Sequence, residues 1–307
     1  MSDGDRWPRV TAIVPTHDRA ELLARAVRSV QQQDYPGEIE IRIVFDQQEP
    51  EPPRVPDVAG RTITLSENER SPGLAGSRNT GVLAATSEFL AFLDDDDEWL
   101  PSKLRLQIEA LRAHPDASLA TCGIYVVNRG REIVRRPPGP RVTLDHLTRS
   151  RRMEVHSSTL AMRRDRLVEE IGLVDEEIPG SYGEDYDLLL RAAKVAPIVA
   201  VPEPLARVHW AGSFFADRWG TIVPALEYQL DKHPELSRDP RNLGRMYGRI
   251  AFAHAASGDR DEARRWAKRS IRLDPRQPRG YLAWAVSTGA VRPAWVVKAV
   301  NATGRGV

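Results

Sequence analysis

Apolar residues recur along the chain in two alternating rhythms, and towards the C-terminus in only one. Val10-Thr11-Ala12-Ile13-Val14 predicts a short strand, and Leu22, Leu23, Ala26, Val27 and Val30 follow at helical spacing. Ile39, Ile41, Ile43 and Phe45 then alternate with polar residues, which predicts a second strand stopping at Asp46. Strand, helix and strand in that order make a β-α-β unit, with parallel strands and a right-handed crossover. The turn Pro15-Thr16-His17-Asp18 leads into the helix, and Asp18 with Glu21 has the spacing of a capping box. Gln47 to Gly60, rich in proline and acid, predicts a surface loop, and Thr62 to Leu65 a brief third strand. The glycine-bearing turn Ser71 to Asn79 enters a helix that runs to Ala85.

Phe89-Leu90-Ala91-Phe92-Leu93 is too short for a helix and predicts a strand buried on both faces of a parallel sheet. A helix opening at Pro101 carries Leu104, Ile108 and Leu111 on its core face. Ser118 to Val127 predicts a strand, with Glu132 to Val134 as its partner and a basic, proline-rich loop over Arg135 to Arg141. Ser158 to Met162 predicts another strand before a short helix ending at Ile171. After an acidic loop from Gly172 to Gly183, Leu188, Leu189 and Ala192 mark a helix over Glu184 to Lys194, with Glu184-Asp185 in its first turn. Ile198 to Val201 and Leu205 to His209 are the last two strands expected. Beyond about Ser213 only helical spacing remains, near 222–232, 243–256, 259–273 and 278–287. Residues 253–275 have the spacing of one tetratricopeptide helix pair without a second copy. One such unit cannot stack into a solenoid, so it is expected to pack on the α/β part or on another subunit. The division expected is an α/β domain over 1–213 and a helical region over 214–307.

Chemistry enters at the end of the buried strand. Asp94-Asp95-Asp96-Asp97 follow it directly, at the carboxyl edge where open α/β sheets place ligands. Four adjacent carboxylates repel one another, and a hard divalent cation such as Mg²⁺ or Mn²⁺ relieves that repulsion. The competing reading is a solvated acidic turn that caps the next helix; the position behind a buried strand favours the cation. The small residues of Ser71 to Asn79 let backbone approach a ligand closely, although the turn lacks the lysine and spacing of a P-loop. Arg78 offers a guanidinium fork to phosphate or to the acidic run. Glu184 and Asp185 either complement a helix N-terminus or form a catalytic pair in which mutual repulsion raises one pKa.

Composition narrows the classes. A formal net charge of +1 over 307 residues argues against non-specific nucleic-acid binding. The single cysteine, Cys122, lies in an apolar run, excludes an internal disulfide and a cysteine zinc site, and suits a reducing cytosol. No apolar run reaches transmembrane length and residues 1–9 lack a signal-peptide core, so a cytoplasmic protein is expected. The basic stretch from Arg129 to Arg152 and the apolar Trp295-Val296-Val297 offer peripheral contact with an anionic membrane surface.

Several blocks then stand in a telling order: Val14-Pro15-Thr16-His17-Asp18-Arg19, Val44-Phe45-Asp46, Gly73 with Arg78-Asn79-Thr80-Gly81, Phe92 to Leu104 around the aspartates, and Gly183-Glu184-Asp185-Tyr186-Asp187-Leu188 with Arg191. In that order the chain resembles the inverting family-2 glycosyltransferases of the GT-A fold, over roughly residues 10–213. The resemblance implies a Rossmann-like, mainly parallel central sheet flanked by helices, here with an all-helical C-terminal extension. It implies transfer of a sugar from a nucleotide-diphosphate donor to an acceptor hydroxyl, with Mn²⁺ or Mg²⁺ as cofactor. Asp96 is then a metal ligand, with Asp94 or Asp95 supporting it, either on the metal or on the ribose, and Asp97 capping the next helix. His209 falls where relatives carry a histidine near the metal or diphosphate, and Asp185 at the family's base position with Glu184 beside it. Pro15, Thr16, Asp18, Asp46, Gln47, Gly73, Arg78 and Asn79 are the implied donor-binding residues, together with Asp94 and Asp95. Gln47 replaces the second aspartate of the family's base-reading pair. Its amide matches the N3–H and adjacent carbonyl of uracil or thymine, which points to UDP or dTDP. The acceptor is open between a saccharide, a lipid-linked saccharide and a small molecule, and the helical region offers a surface for a homodimer. The alternative function is a catalytically silent GT-A scaffold that binds a nucleotide sugar or a protein partner. A nucleotidyltransferase would want a glycine-rich basic loop where Pro15-Thr16-His17-Asp18-Arg19 stands.

Overall fold

The computed structural model describes residues 6–128, 130–149, 154–209 and 219–302. The expected division near Ser213 falls outside these, as do Arg129 and residues 150–152 of the basic stretch. The chain forms two compact units, one from Met1–Leu147, Arg152–Glu176 and Glu184–Trp210, the other from Thr148–Arg151, Glu177–Gly183 and Ala211–Val307.

The first unit is built on a ten-stranded sheet. Strands β1 (Val10–Thr16), β2 (Ile39–Phe45), β3 (Arg61–Glu67) and β4 (Phe89–Phe92) run parallel in the order β3-β2-β1-β4. In β1, β4 and most of β2 both faces are buried, which is why β1 and β4 read as largely apolar runs, whereas β2 carries Glu40 and Arg42 between its apolar residues. Helix α1 (Ala20–Gln31) crosses from β1 to β2 and buries Leu23, Ala26, Val27 and Val30. Helix α2 (Leu74–Ala84) returns the chain from β3 to β4 and buries Val82 with Ser77, Arg78 and Asn79. Gly81 lets it lie against β1, because a Cβ there would stand 2.5 Å from the Ile13 side chain.

The sheet then turns mixed. After β4 come β5 (Glu98–Trp99), α3 (Lys103–Ala113), β6 (Leu119–Asn128), β7 (Arg131–Arg135), β8 (Arg141–Val142) and α4 (Leu144–Arg149). Strand β9 (Ala161–Arg163) inserts antiparallel between β4 and β6, and β10 (Ile198–His209) runs parallel to β6 and antiparallel to β5 and β8. The expected sheet is therefore present, with its parallel half in β1 to β4 and its remainder mixed. The pairing of β6 with β7 follows the sequence expectation. Three details differ. Residues 157–159 form a 3₁₀ turn, so only the second half of Ser158 to Met162 is strand. The last two expected strands are one, β10, whose register slips around Pro202 to Pro204. That bulge presses the Glu203 carbonyl to 3.0 Å from where a Cβ of Gly123 would stand, so the opposite strand needs glycine. Helix α3 begins at Lys103 behind Ser102, two residues later than Pro101 suggests. The short α5 (Arg164–Arg166) runs into a single π turn at Leu167–Ile171, and α6 (Glu184–Val195) precedes β10.

In the second unit, α7 (Trp219–Lys232), α8 (Pro240–Ser257), α9 (Arg260–Leu273) and α10 (Pro278–Ser287) match the four helical segments read from the sequence. A fifth helix, α11 (Pro293–Ala302), was not legible as such. Ala251, Phe252, Ala263, Ala267 and Ala283 form this unit's core. No described helix is long and apolar enough to cross a membrane.

Candidate active site

The carboxyl ends of β1, β2 and β4 bring the three N-terminal blocks together. β1 ends at Pro15 and Thr16, the latter donating from Oγ1 to Asp95 Oδ2 at 2.8 Å. The turn beyond is wound by Asp18 in the left-handed region (φ 52°), so the expected cap is replaced. Arg19 precedes α1, and the Asp18 amide donates instead to Gln48 Oε1 at 2.6 Å. Gln47, after β2, is left-handed too (φ 52°). Two non-glycine residues in that conformation, side by side in space, mark the kind of local strain that persists where surroundings over-determine it. Asp18 lines a cavity of about 480 Å³ together with Thr16, Arg19, Phe45, Gln48, Glu51 and Arg54, among others.

Asp46 anchors the floor of this region. Its Oδ1 accepts from Asn68 Nδ2 at 2.8 Å, and its Oδ2 from Gln47 Nε2 at 3.1 Å and the Gly73 amide at 3.0 Å. Gly73 can present that amide because its φ of 108° is open to glycine. Gln47 itself is exposed, and Gln48 is the amide that faces the cavity. Asn79 lies elsewhere than a donor contact: it is buried, with Nδ2 on Val174 O at 2.8 Å and Glu176 Oε1 at 2.6 Å, and Oδ1 accepting from the Val174 amide. Glu176 also accepts from Arg70 and Ser71, and although burial alone would raise it, the bond from Asn79 and then those from Arg70 and Ser71 hold its carboxyl down to about 2. Asn79 and Glu176 thus fasten the Gly73 loop from behind.

Each aspartate of the acidic run is held by its own set of partners. Asp94 accepts from Arg78 Nη2 at 2.6 Å and from Ser157 Oγ at 2.7 Å. Burial alone would raise its carboxyl, but Arg78 and then His156 hold it below the ordinary range. Asp95 is pushed up to about 6, chiefly by burial, with the Thr16 bond and Arg19 opposing. Asp96 meets Arg19 Nη1 at 2.9 Å; burial and the neighbouring Asp94 raise it. Asp97 is buried and raised well above its usual value by burial and by Asp96. It does not cap α3: its Oδ2 accepts from Ser158 Oγ at 2.6 Å and its Oδ1 from the His209 amide at 3.0 Å. The His209 ring meets Glu98 Oε1 at 2.8 Å. The imidazole beside the aspartates is His156, with Nδ1 3.5 Å from Asp97 and Nε2 4.0 Å from Asp94. Ligand atoms of Asp94, Asp97 and His156 all lie within 4.8 Å of one another. Carboxylate oxygens with one imidazole suit Mn²⁺ or Mg²⁺, and carboxylates raised by burial and by one another's charge, as Asp96 and Asp97 are, are what a divalent cation would relieve.

Arg78 ties this cluster to the start of α6. It is 1% exposed, stacks over Phe92 with 5.6 Å to the ring centroid, and pairs with Glu184 as well as Asp94. Glu184 is pushed up to about 7 by burial, against the pull of Arg78 and with the push of Asp185. Asp185, nearly as buried, accepts from the Tyr186 amide at 2.8 Å. His156, Ser157, Ser158 and Glu176 were missed in the sequence, being 59 to 106 positions from their partners. The one local signal was a histidine and three hydroxyls in a row ahead of a short strand.

The chain is similar to known proteins. The sequence profile described as Glycosyl transferase family 2 matches residues 11–172. AmsB of Erwinia amylovora, an amylovoran biosynthesis glycosyltransferase, is 25% identical over 243 residues, which is 74% of this chain and 79% of that protein. WfgD of Escherichia coli, a UDP-Glc:alpha-D-GlcNAc-diphosphoundecaprenol beta-1,3-glucosyltransferase, is 31% identical over 102 residues, 33% of this chain and 40% of that protein. Among solved structures, S. aureus TarS 1-349 in complex with UDP-GlcNAc aligns with a TM-score of 0.58 at 17% identity, over 97% of this chain and 92% of its own. The mannosyltransferase PcManGT from Pyrobaculum calidifontis, in complex with GDP-Man and Mn²⁺, aligns with a TM-score of 0.56 at 19% identity, over 94% and 81%. At such identities the structural likeness speaks for the fold.

Proposed function

The chain belongs to glycosyl transferase family 2, with the GT-A fold and the glycosyl-transfer activity that go with it, and we propose that it transfers a sugar from a UDP or dTDP donor to an acceptor hydroxyl with inversion and with a divalent cation. One observation carries this reading: Arg78 joins the acidic cluster after β4 to the Glu184-Asp185 pair, beside a cavity at the carboxyl ends of β1 and β2. Leaving-group and acceptor chemistry therefore share one rigid frame.

Asp185 takes the proton of the acceptor hydroxyl. Glu184 is the less suited of the two, because its carboxylate is engaged by Arg78 and its movement would unpair a buried guanidinium. Arg78 fixes Asp94 and Glu184 relative to each other. Mn²⁺ or Mg²⁺ would be held by Asp94, Asp96 and His156, and when bound it would neutralise charge on the diphosphate leaving group as a Lewis acid. Asp96 suits this role better than Asp97, since both Asp97 oxygens already accept protein hydrogen bonds while the Asp96 side chain is 28% exposed. Asp97 instead seats the Ser157–Thr159 turn under the cluster. The donor nucleotide takes the cavity, with Thr16 and Phe45 against it and Gln48 as the amide that reads the base, while Gln47 braces the Asp46 carboxylate beside it. Both Asp46 oxygens are committed to protein donors, which leaves amides rather than that carboxylate for the base edge and favours a pyrimidine.

For the acceptor we propose a hydroxyl of a lipid-linked saccharide, because the WfgD relative acts on a diphosphoundecaprenol-linked sugar. The deciding experiment is a thermal-shift panel of UDP-, dTDP- and GDP-sugars with and without Mn²⁺, followed by donor hydrolysis. Stabilisation by UDP- or dTDP-sugars that deepens with Mn²⁺, with hydrolysis, is expected. Stabilisation by GDP-sugars alone would overturn the donor assignment, and binding without any hydrolysis or transfer would favour the silent scaffold.

A further inference from the structure

Arg19 stands between the nucleotide cavity and the acidic cluster and touches both. Its Nη1 lies 2.9 Å from Asp96 Oδ2 and 3.3 Å from Asp95 Oδ1, and the same side chain lines the cavity with Thr16, Phe45 and Gln48. Unlike Arg78 it is not enclosed: 28% of its side chain is exposed. Arg25, the other nearby cation, donates to the Asp96 carbonyl at 2.8 Å and pairs with Glu98, so it leaves the Asp96 carboxylate alone. Arg19 is thus the counter-charge of the more exposed carboxylate in the proposed metal site, Asp96 at 28% against 17% for Asp94.

A guanidinium and a divalent cation want the same oxygen, and as like charges they repel one another there. A guanidinium also has a second natural partner, the oxygens of a phosphate, which its fork can meet two at a time. We propose that Arg19 is an internal counter-ion of Asp95 and Asp96, that a divalent cation competes with it for Asp96, and that the displaced guanidinium is taken up by the diphosphate of the donor. This rests on the cavity being the nucleotide site. Metal and nucleoside diphosphate then loosen the same ion pair, so each favours the binding of the other beyond any direct contact between them, and the coupling is reciprocal.

The test is Arg19→Leu in the full chain, with three titrations: Mn²⁺ alone, UDP in EDTA, and uridine in EDTA. Removing the competitor should tighten Mn²⁺ binding about ten-fold, while losing the guanidinium should weaken UDP about ten-fold, both within the usual range of coupling between sites. Uridine should bind as before. Arg19→Lys, which keeps the charge without the fork, should leave Mn²⁺ affinity near wild type and still weaken UDP. Unchanged or weaker Mn²⁺ binding by a normally folded Arg19→Leu overturns the inference, as does unchanged UDP binding. If the wild-type chain binds neither UDP nor dTDP, the cavity reading falls and takes the inference with it. If it binds them and the variant differs in neither titration, the inference alone falls.

Discussion

At the scale of single residues, the site divides into groups that act and groups that hold. Asp185→Asn keeps the shape and removes the proposed proton acceptor, so turnover should fall by about two to four orders of magnitude with donor affinity kept, as read from donor consumption and calorimetry. An active Asp185→Asn beside a dead Glu184→Gln would move the base to Glu184. Arg78 holds: it is buried between two carboxylates, and Arg78→Met leaves both without their cation. Breaking one side of a buried pair costs about 3–5 kcal/mol, and chemical denaturation should show a loss of at least that order. The acidic run, Arg78 and the Glu184-Asp185 pair were legible because each lies in a contiguous block whose chemistry is local. His156 was not, because its meaning comes only from the turn that carries it back across the sheet to Asp94. Asn79 sat in a family block yet serves Val174 and Glu176, contacts made across 95 and 97 positions that no local pattern announces.

At the scale of elements, the turn at Ser157–Thr159 decides whether the aspartates are in place, and β5 and α3 support it from below. Trp99 Nε1 donates to Ser158 O at 2.8 Å, Gln107 Nε2 to Thr159 O at 2.7 Å, and Lys103 Nζ reaches Leu160 O at 3.5 Å while standing 3.9 Å over the Trp99 ring. Lys103 is fully buried, and burial pushes its amine down to about 7. The folded chain therefore releases this proton near pH 7 and the unfolded chain near 10.5. Between those values the unfolded state binds more protons, so stability rises with pH, by at most ~1.4 kcal/mol per unit. Urea denaturation at pH 7 and pH 9 should show that rise in the wild type and a flatter profile in Lys103→Met; equal slopes in the two would mean that the amine stays charged when buried. Strands and helices with clean periodicity, such as β2 and α1, were readable to within a residue or two. The prolines that split β10 in the sequence do so because they cannot donate to a ladder. The strand passes them by a bulge against Gly123, a solution visible only once both strands are in register.

At the scale of the whole molecule, the open matter is how a site built for a nucleotide sugar meets its acceptor. The helical unit exposes Tyr281, Trp284 and Trp295, the last to 61%, and sets Lys268 and Arg272 around a hollow of about 320 Å³ that Tyr281 and Trp284 also line. Arg292 lies over the Trp295 ring at 5.6 Å. Aromatic rings with basic neighbours are the residues that settle at a lipid–water boundary, and each lysine or arginine near an anionic surface contributes about 1 kcal/mol. The attachment expected of these aromatic and basic side chains is superficial and electrostatic in part. Such attachment weakens as the screening length falls from about 30 Å at 0.01 M salt to about 8 Å at 0.15 M. The full chain should therefore sediment with vesicles containing anionic lipid at low salt and leave them as salt is raised. A Trp284→Ser, Trp295→Ser double variant should remain in the supernatant while keeping donor hydrolysis, since neither residue belongs to the unit that holds the site. If the wild type ignores anionic vesicles, and light scattering shows a dimer that the double variant loses, these aromatics serve a second copy of the chain. The acceptor is then to be sought among soluble saccharides.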